Sequence, residues 1–170
     1  MNQIDYGIAF GSNLGNRLSN LRQAKRLLLH QCPNPQGASF SQVYETEPVN
    51  CPKEANNFFN AVGNFPFPLP PQDVLNICMQ IESAFERPDE REKNIPRTID
   101  LDIIYAGSLT KNSKNLIIPH PKLYERRFVL EPLSTIMPAL VLPHQKKTIL
   151  QHLNAIESSE PPLKKIANTW

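Results

Sequence analysis

Three cysteines, six glycines and one tryptophan in 170 residues leave little material for a disulfide framework, a repeated-glycine nucleotide loop or an aromatic repeat. Cys32, Cys51 and Cys78 are odd in number and lack the CxxC spacing of a metal or redox site, which suits a reducing compartment. No apolar run approaches the roughly 18 residues of a membrane helix. The opening Met1-Asn2-Gln3-Ile4-Asp5 has no basic stretch followed by an apolar one, so the expectation is a cytoplasmic protein without membrane attachment. Eighteen basic and 16 acidic residues leave a formal charge of +2 with no block of like charge. That balance argues against a nucleic-acid partner and for small molecules.

Proline, by contrast, is plentiful: 17 residues, or a tenth of the chain, against a usual share of about 5%. The prolines fall between periodic segments, so they punctuate a folded chain with stiff loops. A composition of 40% hydrophobic and 20% charged residues is ordinary for a globular protein, and the length suits a single domain over 1–170 with one adequate core.

The most informative stretch is Pro96-Arg97-Thr98-Ile99-Asp100-Leu101-Asp102-Ile103-Ile104-Tyr105. A proline at its start and strict alternation after it predict a strand, with Ile99, Leu101 and Ile103 on one face and Asp100 and Asp102 on the other. Two like charges about 6–7 Å apart along a strand repel each other. Divalent cations would relieve that repulsion, since magnesium takes one or two carboxylates and completes its octahedron with water and phosphate oxygens. Arg97, beside the pair, is a planar bidentate donor suited to phosphate. Acid-apolar-acid alternation also describes the wet face of any half-exposed strand, and both readings stand on this segment alone.

Elsewhere, Ile4, Tyr6, Ile8 and Phe10 alternate with small or polar residues and predict a first strand. Gly11-Ser12-Asn13-Leu14-Gly15-Asn16 follows as a turn, and Asn16 caps a helix reaching to about Gln31. The turn lacks the repeated glycines and the lysine of the phosphate-binding fingerprints, so a tight strand-to-helix connection explains it alone. Ala38 to Tyr44 reads as a second strand and Glu45 to Pro52 as a loop. Phe58 to Phe65 reads as a third strand with Phe58, Asn60 and Val62 on one face. Phe58 beside Asn60 would suit a planar heterocycle, or equally a core ring beside a strand edge. Pro66 to Pro71 forms a stiff connector, and Val74, Cys78, Ile81 and Phe85 mark a second amphipathic helix. Glu86 to Ile95 is highly charged and aperiodic, as suits a lid or a plain solvated connection. A short strand at Leu116-Ile117-Ile118 leads into a basic segment with His120, Lys122, Arg126, Arg127 and Phe128, which would suit a polyphosphate. A further helix is expected around Thr148 to Ile156.

Five blocks together, Gly11 to Gly15, Tyr44 to Val49, Phe58 to Val62, Pro96 to Asp102 and Pro119 to Leu130, resemble the 6-hydroxymethyl-7,8-dihydropterin pyrophosphokinase (HPPK) family of folate biosynthesis. They stand in the family's order. The resemblance implies an α+β fold, a ferredoxin-like α/β/α layering with a central, mainly antiparallel sheet. It also implies transfer of pyrophosphate from ATP to the pterin's hydroxymethyl oxygen with release of AMP. By position, Asp100 and Asp102 would hold two magnesium ions, with Arg97 catalytic beside them. Arg87, Arg97, His120 and Arg126 would bind the nucleotide with Glu82 and Ile103. Thr46, Pro48, Val49, Phe58, Asn60 and Phe128 would bind the pterin. A monomer acting on ATP and a dihydropterin is the expectation. The family's lid carries Gly-Arg-x-Arg and later Arg-Trp-Gly, where this chain has Glu86-Arg87-Pro88-Asp89 and Lys93-Asn94-Ile95; Arg87 and Lys93 remain, with Arg91 as a substitute cation. Asn50 stands where a glycine is usual.

Two other readings compete. A magnesium-dependent nucleotidyltransferase also joins Gly-Ser to an Asp-x-Asp strand, but usually with the two close in sequence. A non-catalytic ferredoxin-like ligand-binding regulator would have no use for paired carboxylates.

Overall fold

The computed structural model describes residues 3–47, 56–85, 98–156 and 163–170. Chain order is β1 (Ile4–Ser12), α1 (Arg17–Gln31), β2 (Ser39–Phe40), β3 (Val43–Thr46), β4 (Phe58–Phe67) and α2 (Pro71–Ala84), then β5 (Asp100–Ala106), β6 (Lys111–Asn112), β7 (Ile117–Ile118), α3 (Arg127–Ile136), α4 (Ile149–Ala155) and β8 (Lys164–Ala167). The main sheet runs β5-β1-β4-β3-β8, with β2 also on β4, and all its pairings are antiparallel. Each of α1 and α2 therefore joins strands that have a third strand between them, the split crossover of a ferredoxin-like sheet.

Alternation along the strands sorts the core into two layers. Tyr6, Ile8 and Phe10 of β1, with Phe65 and Phe67 of β4 and Leu101 and Ile103 of β5, pack beneath the sheet on α1 and α2. Above it, Val62, Ile104 and Tyr105 pack with Val129, Leu130 and Leu133 of α3 and Ile149 of α4. The small face of β1 has a direct use. A Cβ at Gly7 would lie 2.1 Å from the Tyr105 ring, so only glycine lets that tyrosine lie across the strand. Its hydroxyl donates to Asn64 Oδ1 at 2.7 Å.

Asn16 caps α1 as expected, its Oδ1 accepting from the Ser19 amide at 3.1 Å. Four local expectations change. The second strand breaks into β2 and β3, because at the break Ser41 Oγ accepts from the Val62 amide at 2.9 Å in place of a ladder carbonyl. Glu45 and Thr46, expected in a loop, end β3. Strand β4 continues through Pro66, which lies opposite Asp5, to Phe67. The basic segment past Arg126 is helical, since the apolar face of α3 packs tightly enough to tolerate Pro132 inside it.

The end of the chain is also ordered. Strand β8 pairs with β3, and Trp170 sets its ring edge against Phe10 and Phe40, with centroids at 5.1 and 5.7 Å. Its indole N–H donates to the Ser41 carbonyl at 2.8 Å, and Lys25 donates to its carbonyl. Trp170→Ala removes this half-buried ring and its hydrogen bond together. Urea denaturation should show a loss of about 2 kcal/mol; a loss under about 0.5 kcal/mol would mean that the ring contributes nothing to the fold.

Candidate functional site

The sheet register, rather than any one motif, assembles the site. Gly11 lies opposite Asn60 on one side and opposite Asp100 on the other, so residues from β4, β1 and β5 stand in a row on one face. A Cβ at Gly11 would meet Asn60 Oδ1 at 3.5 Å, Asp100 Cβ at 3.8 Å and Phe58 Cδ1 at 3.9 Å. One pair further along, Ala9 lies opposite Asp102. Asn60 is 7% exposed and donates through Nδ2 to Thr46 Oγ1 at 2.7 Å, which fixes both side chains at the end of β3. The carboxylates of Asp100 and Asp102 thus flank a row of small residues, with a held amide and an aromatic ring across from them.

Gly11-Ser12-Asn13 has a mechanical part in this. Gly11 and Ser12 close strand β1 and do not form a turn; the left-handed residue is Gly15, at φ 59°. Buried Ser12 Oγ donates to the Thr98 carbonyl at 2.6 Å. Asn20 Nδ2 reaches Ser12 Oγ at 3.1 Å, the Leu14 carbonyl at 2.9 Å and the Thr98 carbonyl at 3.1 Å. This network pins the chain two residues before Asp100. Strand β5 is the sheet edge, and its Leu101 amide is covered by Glu82 Oε1 at 2.9 Å. Burial first, then the charges of Glu82 and Asp102, push the Cys78 thiol up and keep it protonated.

With this geometry in view, the comparisons with known proteins decide the family. The family model described as 7,8-dihydro-6-hydroxymethylpterin-pyrophosphokinase (HPPK) matches residues 7–138. The chain belongs to the HPPK family. It is 42% identical over 136 residues to the 2-amino-4-hydroxy-6-hydroxymethyldihydropteridine pyrophosphokinase of Bacillus subtilis, covering 80% of this chain and 79% of that protein. It is 41% identical over 142 residues to a folic acid synthesis protein of Dictyostelium discoideum, covering 84% of this chain but 21% of the relative. A solved HPPK-DHPS structure with substrates superposes with a TM-score of 0.64 at 15% identity, covering 91% of this chain and 43% of that one. A Plasmodium falciparum HPPK-DHPS gives a TM-score of 0.65 at 14% identity, covering 90% and 43%. The chain therefore spans less than half the length of the Dictyostelium relative and of the HPPK-DHPS chains. No helix of the described residues is long and apolar enough to cross a membrane.

Of the residues that resemblance to the HPPK family singles out, Thr46, Phe58, Asn60, Asp100 and Asp102 lie on or beside this row. Ile103 is 3% exposed in the lower core, so any contact it makes with a nucleotide must come from its backbone on the edge strand. Pro48, Val49, Arg87, Arg91, Lys93 and Arg97 lie outside the described residues. Phe128 is half-buried on α3 against the upper core, and the Arg126 guanidinium carbon lies 5.6 Å from its ring centroid.

His120 is tied to the edge strand by its amide, which donates to the Ile104 carbonyl at 2.9 Å. Its Nδ1 accepts from the Lys122 amide at 3.2 Å, which puts the neutral ring's proton on Nε2. Burial, then the charges of Arg126 and Lys122, pull its pKa down to about 4 against the opposing pull of Asp100. The imidazole is therefore a neutral donor at neutral pH. As pH falls from the unfolded value of about 6.5, the unfolded chain takes up this proton first, so stability declines until the folded pKa is reached. An NMR titration of His120 should give a midpoint near 4, raised in Arg126→Ala; a midpoint near 6.5 in the parent contradicts this environment.

Proposed function

We propose that this chain transfers the terminal pyrophosphoryl group of ATP to the hydroxymethyl oxygen of 6-hydroxymethyl-7,8-dihydropterin, releasing AMP, on the face built around Gly11. The observation that carries the reading is the register that sets Asn60, Phe58 and Asp100 within 4 Å of one missing side chain. In this reading the pterin edge pairs with Asn60, whose amide is oriented by Thr46, and with the segment of Pro48 and Val49. Its rings stack on Phe58 and Phe128, worth about 0.5–1.5 kcal/mol per aromatic pair beyond the area buried. That holds the hydroxymethyl group toward Asp100, which lies one strand beyond Gly11 on the side away from the amide.

Among the described residues no group of three or more His, Cys, Asp or Glu could hold a metal by itself. Magnesium does not need one: a carboxylate or two, with water and phosphate oxygens for the rest, is its usual set, and Asp100 and Asp102 fit it. Two bound ions would neutralise the triphosphate and stabilise the attacking and departing oxygens. The chain itself supplies the phosphate donors Arg87, Arg97, His120 and Arg126, with Glu82 and the Ile103 backbone on the nucleotide side. The new bond joins the hydroxymethyl oxygen to the β-phosphorus as its proton passes to water and the bond from that phosphorus to the α-β bridging oxygen breaks, so AMP departs with that oxygen. No protein nucleophile is required, and positioning with charge neutralisation carries the rate. The working form is a cytoplasmic monomer in this reading, a compartment that the free, buried Cys32 and Cys78 suit.

Incubation with ATP, magnesium and the dihydropterin, followed by nucleotide chromatography, should yield AMP and the pterin diphosphate. Release of inorganic pyrophosphate would instead indicate nucleotidyl transfer. Asp100→Asn and Asp102→Asn should each lower kcat at least about 1000-fold with unchanged circular dichroism, and full activity in either would refute the metal assignment.

A further inference from the structure

Arg17 opens α1 at the foot of the segment that joins β3 to β4. Its Nη1 donates to Glu45 Oε1 at 3.2 Å and to the Asn57 carbonyl at 2.6 Å. Its guanidinium carbon lies 3.8 Å from the centroid of the Phe59 ring, which faces it from β4. Glu45 immediately precedes Thr46, and Asn57 immediately precedes Phe58. A single cation thus grips the chain at both points where the connection leaves and rejoins the sheet. The pair is partly shielded, with side chains 26% and 17% exposed. Lys164 reaches the other Glu45 oxygen at 3.2 Å but is 74% exposed, so it contributes little.

We propose that Arg17 is a positioning residue for pterin recognition, acting through Glu45 and Asn57 to keep the last cross-strand pair, Thr46 with Phe58, from fraying. The inference rests on the reading that Thr46, Phe58 and Asn60 hold the pterin. The geometry favours arginine over lysine, because one nitrogen serves both the carboxylate and the carbonyl while the planar guanidinium lies on the Phe59 ring, a stacking that an ammonium cannot make. Arg17 and Glu45 also wall an open polar cavity of about 490 Å³ with Asn13, Asn56 and Asn57. Water can therefore solvate Glu45 and the Asn57 carbonyl when the arginine is removed. The consequence falls on how firmly the end of the ladder at Thr46 and Phe58 is held and not on the stability of the whole fold.

The test is steady-state kinetics on the full chain with each substrate varied in turn, together with thermal melts. Arg17→Ala should raise the KM for the dihydropterin about tenfold, leave the KM for ATP within about twofold and leave Tm within a few degrees. Arg17→Lys, which keeps the charge but not the planar group lying on the Phe59 ring, should fall between parent and alanine variant. A pterin KM unmoved in Arg17→Ala, or an equal rise for both substrates, overturns the inference. Asn60→Ala separates this from the site itself. A raised pterin KM there, beside an unmoved one in Arg17→Ala, sinks only the role of Arg17. An unmoved pterin KM in Asn60→Ala sinks the pterin site and the inference with it.

Discussion

Everything at the candidate site depends on the register that sets three strands side by side at a residue without a side chain. At Gly7 the missing Cβ is accounted for by the Tyr105 ring, and at Gly63 by Phe65 and Phe40. Gly15 and Gly107 have φ of 59° and 51°, which side chains disfavour. Gly11 has neither excuse: it lies in regular strand, and an added methyl would touch its neighbours only at ordinary distances. A strand glycine without a steric or torsional reason costs stability and leaves bare backbone. The space it keeps open lies between the Asn60 amide and the Asp100 carboxylate, which is where a ligand bridging the two would pass.

The rest of the fold fixes that row in place. Ser12 and Asn20 hold the entry to β5 by the Thr98 carbonyl, and Glu82 covers the edge amide that would otherwise be open to another strand. On the opposite side of the sheet β8 and Trp170 brace β3 and the ring of Phe10, the residue just before Gly11. These contacts come from distant parts of the chain and converge on strands whose ends carry the candidate residues. Rigid strands and helices under a site hold geometry more tightly than loops can.

How much of this was legible in the sequence follows from which signals are local. The Asp100 to Ile104 alternation, the Asn16 cap and the amphipathic spacing of α1 and α2 are local, and the structure bears them out; at Tyr105 the alternation fails, because a register shift against Gly7 and Ile8 puts it in the upper layer with Ile104. The helical form of the segment past Arg126 is not a local signal: Pro132 inside it usually means a break, and packing on Val62 and Ile104 stabilises the helix around it. The split at Ser41 and the pairing of β8 depend on partners 21 residues away and on β3, far up the chain, which no window of sequence contains. Asp100, Asp102, Phe58 and Asn60 could be singled out by residue type and face. Gly11 read as part of a turn and nothing singled out Arg17, because the contacts that draw attention to both exist only once the strands are paired.

The most direct measurement is calorimetric titration of Gly11→Ala with the dihydropterin in the presence of magnesium and a non-hydrolysable ATP analogue, paired with a thermal melt. The account predicts a protein as stable as the parent, or slightly more so, whose pterin affinity has fallen at least about tenfold. A variant of parental stability that binds the pterin as tightly as the parent would contradict it, because the bare backbone between Asn60 and Asp100 would then serve no ligand.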